Sequence, residues 1–130
     1  MEETRNDHMA DQLSTLALAH VGDGVYELLV RTRLARQGIS RVNDLHRATV
    51  ALVKAPAQAQ AMEKLLPVLT EKELAVYKRG RNTKTHAAPN QATVSEYHAA
   101  TGLECLMGWL YLRGDKERAE QLFHAMMEEE

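Results

Sequence analysis

Apolar side chains recur every three or four residues along almost the whole of this 130-residue chain, and no stretch alternates with period two for long enough to make a strand. That rhythm restricts the fold to helices packed on helices. Leu13, Leu16, Ala17 and His20, then Tyr26, Leu29, Val30 and Leu34, mark helical sequence over about residues 9 to 37. The Gly22-Asp23-Gly24 step is expected to interrupt it, and Gly38 to stop it in the left-handed geometry that glycine tolerates. The next helix is expected from about Asn43, with Leu45, Ala48, Val50 and Leu52, and Pro56 suits the first turn of another that runs to about Leu66. Thr70 and Glu73 have the spacing of a capping box and open a helix ending near Arg81; Thr93 and Glu96 repeat the pattern before a long helix to about Arg113. Gly114 ends that helix, and Asp115 is placed to cap a last amphipathic one carrying Leu122, Phe123 and Met126. Residues 82 to 92, polar and aperiodic, read as an exposed loop. The expectation is one all-α domain over residues 1–130, poorly ordered at 1–8 and 127–130.

The formal charge of −2 argues against a nucleic-acid partner until the charges are placed along the chain. Arg31, Arg33, Arg36, Arg41, Arg47 and Lys54 face only Asp44 within residues 31 to 54, a local +5, and residues 78 to 86 add Lys78, Arg79, Arg81 and Lys84 without an acid. The chain is therefore dipolar, with basic segments suited either to phosphates or to plain solvated helix faces. The single cysteine, Cys105, cannot form an internal disulfide, and no apolar run approaches the roughly 18 residues needed to span a bilayer. A soluble protein of a reducing cytoplasm is expected, without a membrane partner.

Two acids stand where apolar residues belong. Projected on a helix, Asp23 sits amid Leu16, Ala19 or His20, Tyr26 or Glu27, and Val30, and Glu104 amid Tyr97, Thr101, Gly108 and Tyr111. Burying an ionised carboxylate is costly unless it is paired, hydrogen-bonded or bound to metal. A shared divalent cation, with hard oxygen ligands suiting magnesium or manganese, is one solution; an arginine partner for each acid is the other, and spacing does not choose between them. Gly22 and Gly24 would allow another helix or a substrate backbone to come close to Asp23.

The surroundings of these acids carry a resemblance. Leu18-Ala19-His20-Val21-Gly22-Asp23-Gly24-Val25-Tyr26-Glu27 resembles the signature helix of ribonuclease III endonuclease domains, and the run from Thr101 to Leu112 resembles that family's second metal-binding helix. With Lys78-Arg79-Gly80-Arg81-Asn82-Thr83-Lys84, Leu45-His46 and Ala57-Gln58-Ala59, the pattern is similar to the Mini-ribonuclease III branch over about residues 13 to 124. Two of the four carboxylates usual in the wider family are replaced, by Ala19 and Thr101, which suggests one ion per site rather than two.

The resemblance implies the ribonuclease III endonuclease-domain helical bundle. It also implies a homodimer that cuts double-stranded RNA, one strand per subunit, to leave a 5′ phosphate. Asp23 and Glu104 would be the catalytic residues and hold Mg2+, with Mn2+ as a substitute. Arg79, Arg81, Asn82, Lys84 and His86 would reach RNA phosphates, although the basic ones also suit a helix C-terminus. His46 and Gln58 match the pattern in supporting positions without a chemical role that follows from the residues, His46 suiting a hydrogen-bonded structural histidine better than a catalytic base. Tyr26, Leu29 and Val30 are candidates for dimer packing, and Trp109, Tyr111 and Leu112 for core or dimer contacts. Precursor 23S ribosomal RNA is the substrate that the resemblance suggests, with a ribosomal protein as a further candidate partner. With no room for a separate RNA-binding domain, the catalytic domain itself is expected to capture the duplex.

Overall fold

The computed structural model describes residues 8–83 and 92–128. After a short helical segment at residues 8–12 come α1 (Thr15–Arg36), α2 (Val42–Val53), α3 (Ala55–Leu65) with a 3-10 turn (Leu66–Val68), α4 (Glu71–Arg81), α5 (Val94–Leu112) and α6 (Lys116–Met127). There is no strand among the described residues. Of the termini expected to be poorly ordered, His8 and Met127 are helical.

Local chemistry sets these boundaries. Ser14 caps α1, its hydroxyl accepting from the Ala17 N–H at 3.1 Å. Both expected capping boxes form: the Thr70 and Thr93 hydroxyls accept from the N–H of Glu73 and Glu96, and each glutamate accepts in return from the threonine N–H at 2.9 Å. Gly114, at φ 85°, closes α5: its N–H donates to Tyr111 O and that of Asp115 to Leu110 O. Asp115 then caps α6 by accepting from the Arg118 N–H.

The Gly22-Asp23-Gly24 step does not break α1, contrary to the sequence expectation; the interruption falls earlier, at Leu13 and Ser14. Glycine lowers helix propensity by only about 1 kcal/mol, which packing of a 22-residue helix readily offsets. The buried stripe of α1 is Leu18, Gly22, Tyr26, Val30 and Leu34. Leu16 is exposed and Asp23 stands beside the stripe, so the projected apolar face was displaced by about one residue.

α5 is the axis of the molecule. It packs against α1, α3, α4 and α6, and from Ala100 to Leu110 every residue but Glu104 is buried. Its approach to α1 is a backbone contact: a Cβ on Gly22 would overlap the Glu104 carbonyl, and one on Gly108 that of Leu18. Gly24 has open space around it and plays no part in this approach. α4 meets α5 in a similar way, with Gly80 against Cys105 and Gly102 against the Tyr77 ring.

Tyr26 and Val30 belong to this core rather than to a free surface: the Tyr26 ring meets Phe123 edge-on at 5.9 Å, and its hydroxyl donates to Leu52 O. They are therefore not available for dimer packing. Trp109 is buried, its indole N–H donating to Asp11 Oδ1 at 2.9 Å, while Tyr111 remains 41% exposed.

α6 is clamped by a feature that sequence patterning did not reveal. Arg118 grips buried Glu73 with two bonds of 2.8 Å and also donates to Val68 O. Burial disfavours the ionised Glu73, but Arg118 and the Thr70 N–H outweigh it and hold the carboxyl below its usual range.

Candidate active site

The α1–α5 crossing decides the site. Gly22 pressed on the Glu104 carbonyl brings the next residue of α1, Asp23, side by side with the Glu104 side chain, and the two carboxyls are hydrogen-bonding neighbours. Asp23 is exposed and Glu104 largely buried, so the pair has one solvent-facing and one sheltered member. Burial first, and then the charge and hydrogen bonding of Asp23, push Glu104 up to about 8, while the Gln58 amide acts in the opposite direction. Neither acid has an arginine partner among the described residues, which removes that alternative for this pair.

Gln58 is the third member. It is buried on α3, on the same stripe as Ala61, Met62 and Leu65, and its amide nitrogen donates to Val53 O at 2.7 Å. The amide also lies against Glu104, and its oxygen is buried without a hydrogen-bond partner. The spacing of Gln58 with Leu65 and Met62 was a readable signal for a buried polar group, but not for its partner.

A divalent cation fits this arrangement. Two adjacent carboxylates and an uncommitted amide oxygen form a set of hard oxygen donors, which suits magnesium or manganese and leaves room for several waters. Among the described residues no group of three or more His, Cys, Asp or Glu side chains could hold a metal, so a cation here would have only two carboxylates. The Thr101 hydroxyl is turned to its own helix, donating to Tyr97 O at 3.0 Å.

The other predicted residues are spread more widely. Arg79 does not hang in a loop: it ties α4 to the start of α1, donating to Thr15 Oγ1 at 3.0 Å and Leu13 O at 2.7 Å. Arg81 lies over the Tyr77 ring and donates to the exposed Asn82, the C-terminal cap of α4. Lys84 and His86 lie outside the described residues. His46 is exposed on α2 and has no hydrogen-bond partner among the described residues, so it is not the structural histidine expected. Cys105 is buried beside Glu104 as a small apolar residue, its thiol pushed by burial up to about 11.

Comparison with known proteins places this geometry. Residues 16–115 match the Ribonuclease III domain family. Mini-ribonuclease 3 of Symbiobacterium thermophilum is 50% identical over 113 residues, 87% of each chain, and that of Enterococcus faecalis is 47% identical over 115 residues, again 87% of each. The crystal structure of a Fusobacterium nucleatum protein is 32% identical and superposes with a TM-score of 0.78 over 87% of this chain and 90% of that one. The chain belongs to the ribonuclease III family, among its Mini-ribonuclease 3 members, and is an endoribonuclease. No described helix is long and apolar enough to cross a membrane.

Proposed function

We propose that this endoribonuclease cuts double-stranded RNA by cation-dependent hydrolysis, leaving 5′ phosphates, with Asp23 and Glu104 as the catalytic, cation-holding pair. The observation that carries the reading is the convergence of these two carboxyls, 81 positions apart in sequence, at a glycine-to-glycine crossing. A magnesium or manganese ion held there would supply charge stabilisation at the scissile phosphate and an activated water. The chain's own part is to aim the donors: Gly22 and Gly108 set the separation of the helices, and Gln58 braces Glu104 from α3.

Duplex RNA is recognised largely through phosphates and 2′-hydroxyls. The α4 end supports such contacts, because Gly80 seats it against Cys105, the neighbour of Glu104, and it carries Arg79, Arg81 and Asn82, with Lys84 and His86 following in the sequence. A homodimer is supported by an apolar groove next to Asp23, lined by Val25, Leu28, Leu29, Tyr111 and Ala119. Leu28 is 63% exposed and so open to a second copy. The relatives' shared name supports action on RNA, and the resemblance of the sequence makes precursor 23S ribosomal RNA in the cytoplasm, with or without a ribosomal protein, the substrate to try first.

A labelled RNA duplex incubated with magnesium tests the reading. Cleavage that disappears with chelator and in Asp23→Asn, while duplex affinity persists, is the expected result. An intact duplex at every pH and salt concentration, with binding retained, would leave an inert RNA-binding module instead.

A further inference from the structure

Gln58 holds an unusual position for a buried amide. Its nitrogen faces the Val53 carbonyl at 2.7 Å, and because a carbonyl can only accept, this fixes which end of the carboxamide is the oxygen. That oxygen is left without a hydrogen-bond partner, although Gln58 is only 3% exposed. A buried acceptor left unpaired costs about 1–3 kcal/mol and calls for an explanation in a native fold. The explanation lies in its neighbour. The amide is near enough to Glu104 to favour its ionised form, so the unpartnered oxygen belongs to the surroundings of that carboxyl.

Magnesium and manganese sites with few protein carboxylates keep several waters, whose hydrogens need acceptors. Here the positions that carry two further acids in the wider family are Ala19, which has no acceptor in its side chain, and Thr101, whose hydroxyl is directed to Tyr97 O. We propose that Gln58 is a positioning residue of the cation site, bracing Glu104 and accepting through Oε1 a hydrogen bond from a hydration water of the ion. The inference rests on the reading that Asp23 and Glu104 hold a divalent cation. It gives the site a hydrogen-bond acceptor from a third helix, α3, anchored at the α2–α3 junction by Val53 rather than by another charge. Outer partners of this kind orient the direct ligands, and losing one typically costs 10–100-fold in metal affinity.

The test is a titration of the whole protein with Mn2+ in the absence of RNA, with free and bound ion separated by electron paramagnetic resonance and folding followed by thermal unfolding. Gln58→Met, of similar length and without the acceptor, should bind Mn2+ about ten-fold more weakly than wild type. Gln58→Glu, which restores an acceptor oxygen and adds charge, should bind more tightly than wild type. A cooperatively folded Gln58→Met with wild-type affinity overturns the inference. If Gln58→Met does not fold, Gln58→Glu decides, and affinity equal to or below wild type overturns it. Asp23→Asn separates the two levels: wild type that binds Mn2+ only when Asp23 is intact keeps the underlying reading whatever Gln58 does, whereas wild type that binds none removes both.

Discussion

Two glutamates sit largely inside this molecule, and their surroundings are opposite. Glu73 on α4 receives two bonds from Arg118 and one from the Thr70 N–H, and its carboxyl is held low. Glu104 on α5 receives no cation from the described residues, faces a second carboxyl on Asp23, and is pushed up to about 8. The first arrangement completes itself and fastens α6 to α4. The second is electrostatically incomplete and gains from an added positive charge, which is the condition of a binding site rather than of a structural joint. The residue type is the same in the two places and the partners are opposite, a cation for Glu73 and a second carboxyl for Glu104.

The largest expected effect breaks the comparison at its functional end. Glu104→Gln or Asp23→Asn should lower the rate of duplex cleavage by more than about a hundred-fold, since losing even an outer partner of a metal costs 10–100-fold. The thermal midpoint of chelator-treated Glu104→Gln should stay level or rise, because a buried like-charge contact is relieved. A midpoint drop as large as that of Glu73→Gln would erase the distinction drawn here.

Gly22→Ala comes next. Its Cβ would overlap the backbone carbonyl of Glu104, so α1 and α5 must separate, at about 1–3 kcal/mol or more, and cleavage should fall with the site's geometry. Unchanged unfolding and activity in this variant would mean that the crossing is not the element that sets the pair.

At the structural end, Glu73→Gln should cost about 2–4 kcal/mol in chemical unfolding, because it leaves the partly buried Arg118 guanidinium without its carboxylate, while the capping box survives with an amide oxygen in place of the carboxylate. Acid unfolding sharpens the point. A carboxyl held below its ordinary value of 4.5 contributes stability in full above that value and loses it as pH falls through the lowered one. Wild type should therefore lose stability below about pH 4.5 more steeply than Glu73→Gln. Equal slopes would show that the clamp is not ionic in solution.

The smallest effect is a gain. Gly24 lies mid-helix with open space where a Cβ would go, so Gly24→Ala should raise stability by about 0.5–1 kcal/mol and leave cleavage near wild type. The contrast with Gly22→Ala, two positions away, measures how local the tight crossing is.

Much of the fold was legible in the sequence because much of it is local. Capping boxes at Thr70 and Thr93, the Asp115 cap, Pro56 in the first turn of α3 and the glycine stops at 38 and 114 satisfy backbone groups within a few residues, and the chain carries that information in order. Family resemblance paired Asp23 with Glu104, a choice that periodicity alone left open. What it could not supply was the face of each helix. Hydrophobic spacing put Asp23 within a buried stripe, whereas the stripe runs through Gly22 beside it. Glycine counts for nothing in a pattern of apolar side chains, yet the absence of a side chain is what lets two backbones meet.

The chain by itself thus determined an all-helical domain, most of its helix ends though not the break at Leu13 and Ser14, and which two acids to suspect. Only the tertiary structure decided that Tyr26 and Val30 are core, that Arg79 is a tie between α4 and α1, that Arg118 completes Glu73, and that Gln58 stands against Glu104. The physical reason is range. Hydrogen bonds of caps and turns close within one helical turn, whereas the site depends on the angle and distance at which α1, α3 and α5 cross, and these follow from steric contact between residues dozens of positions apart.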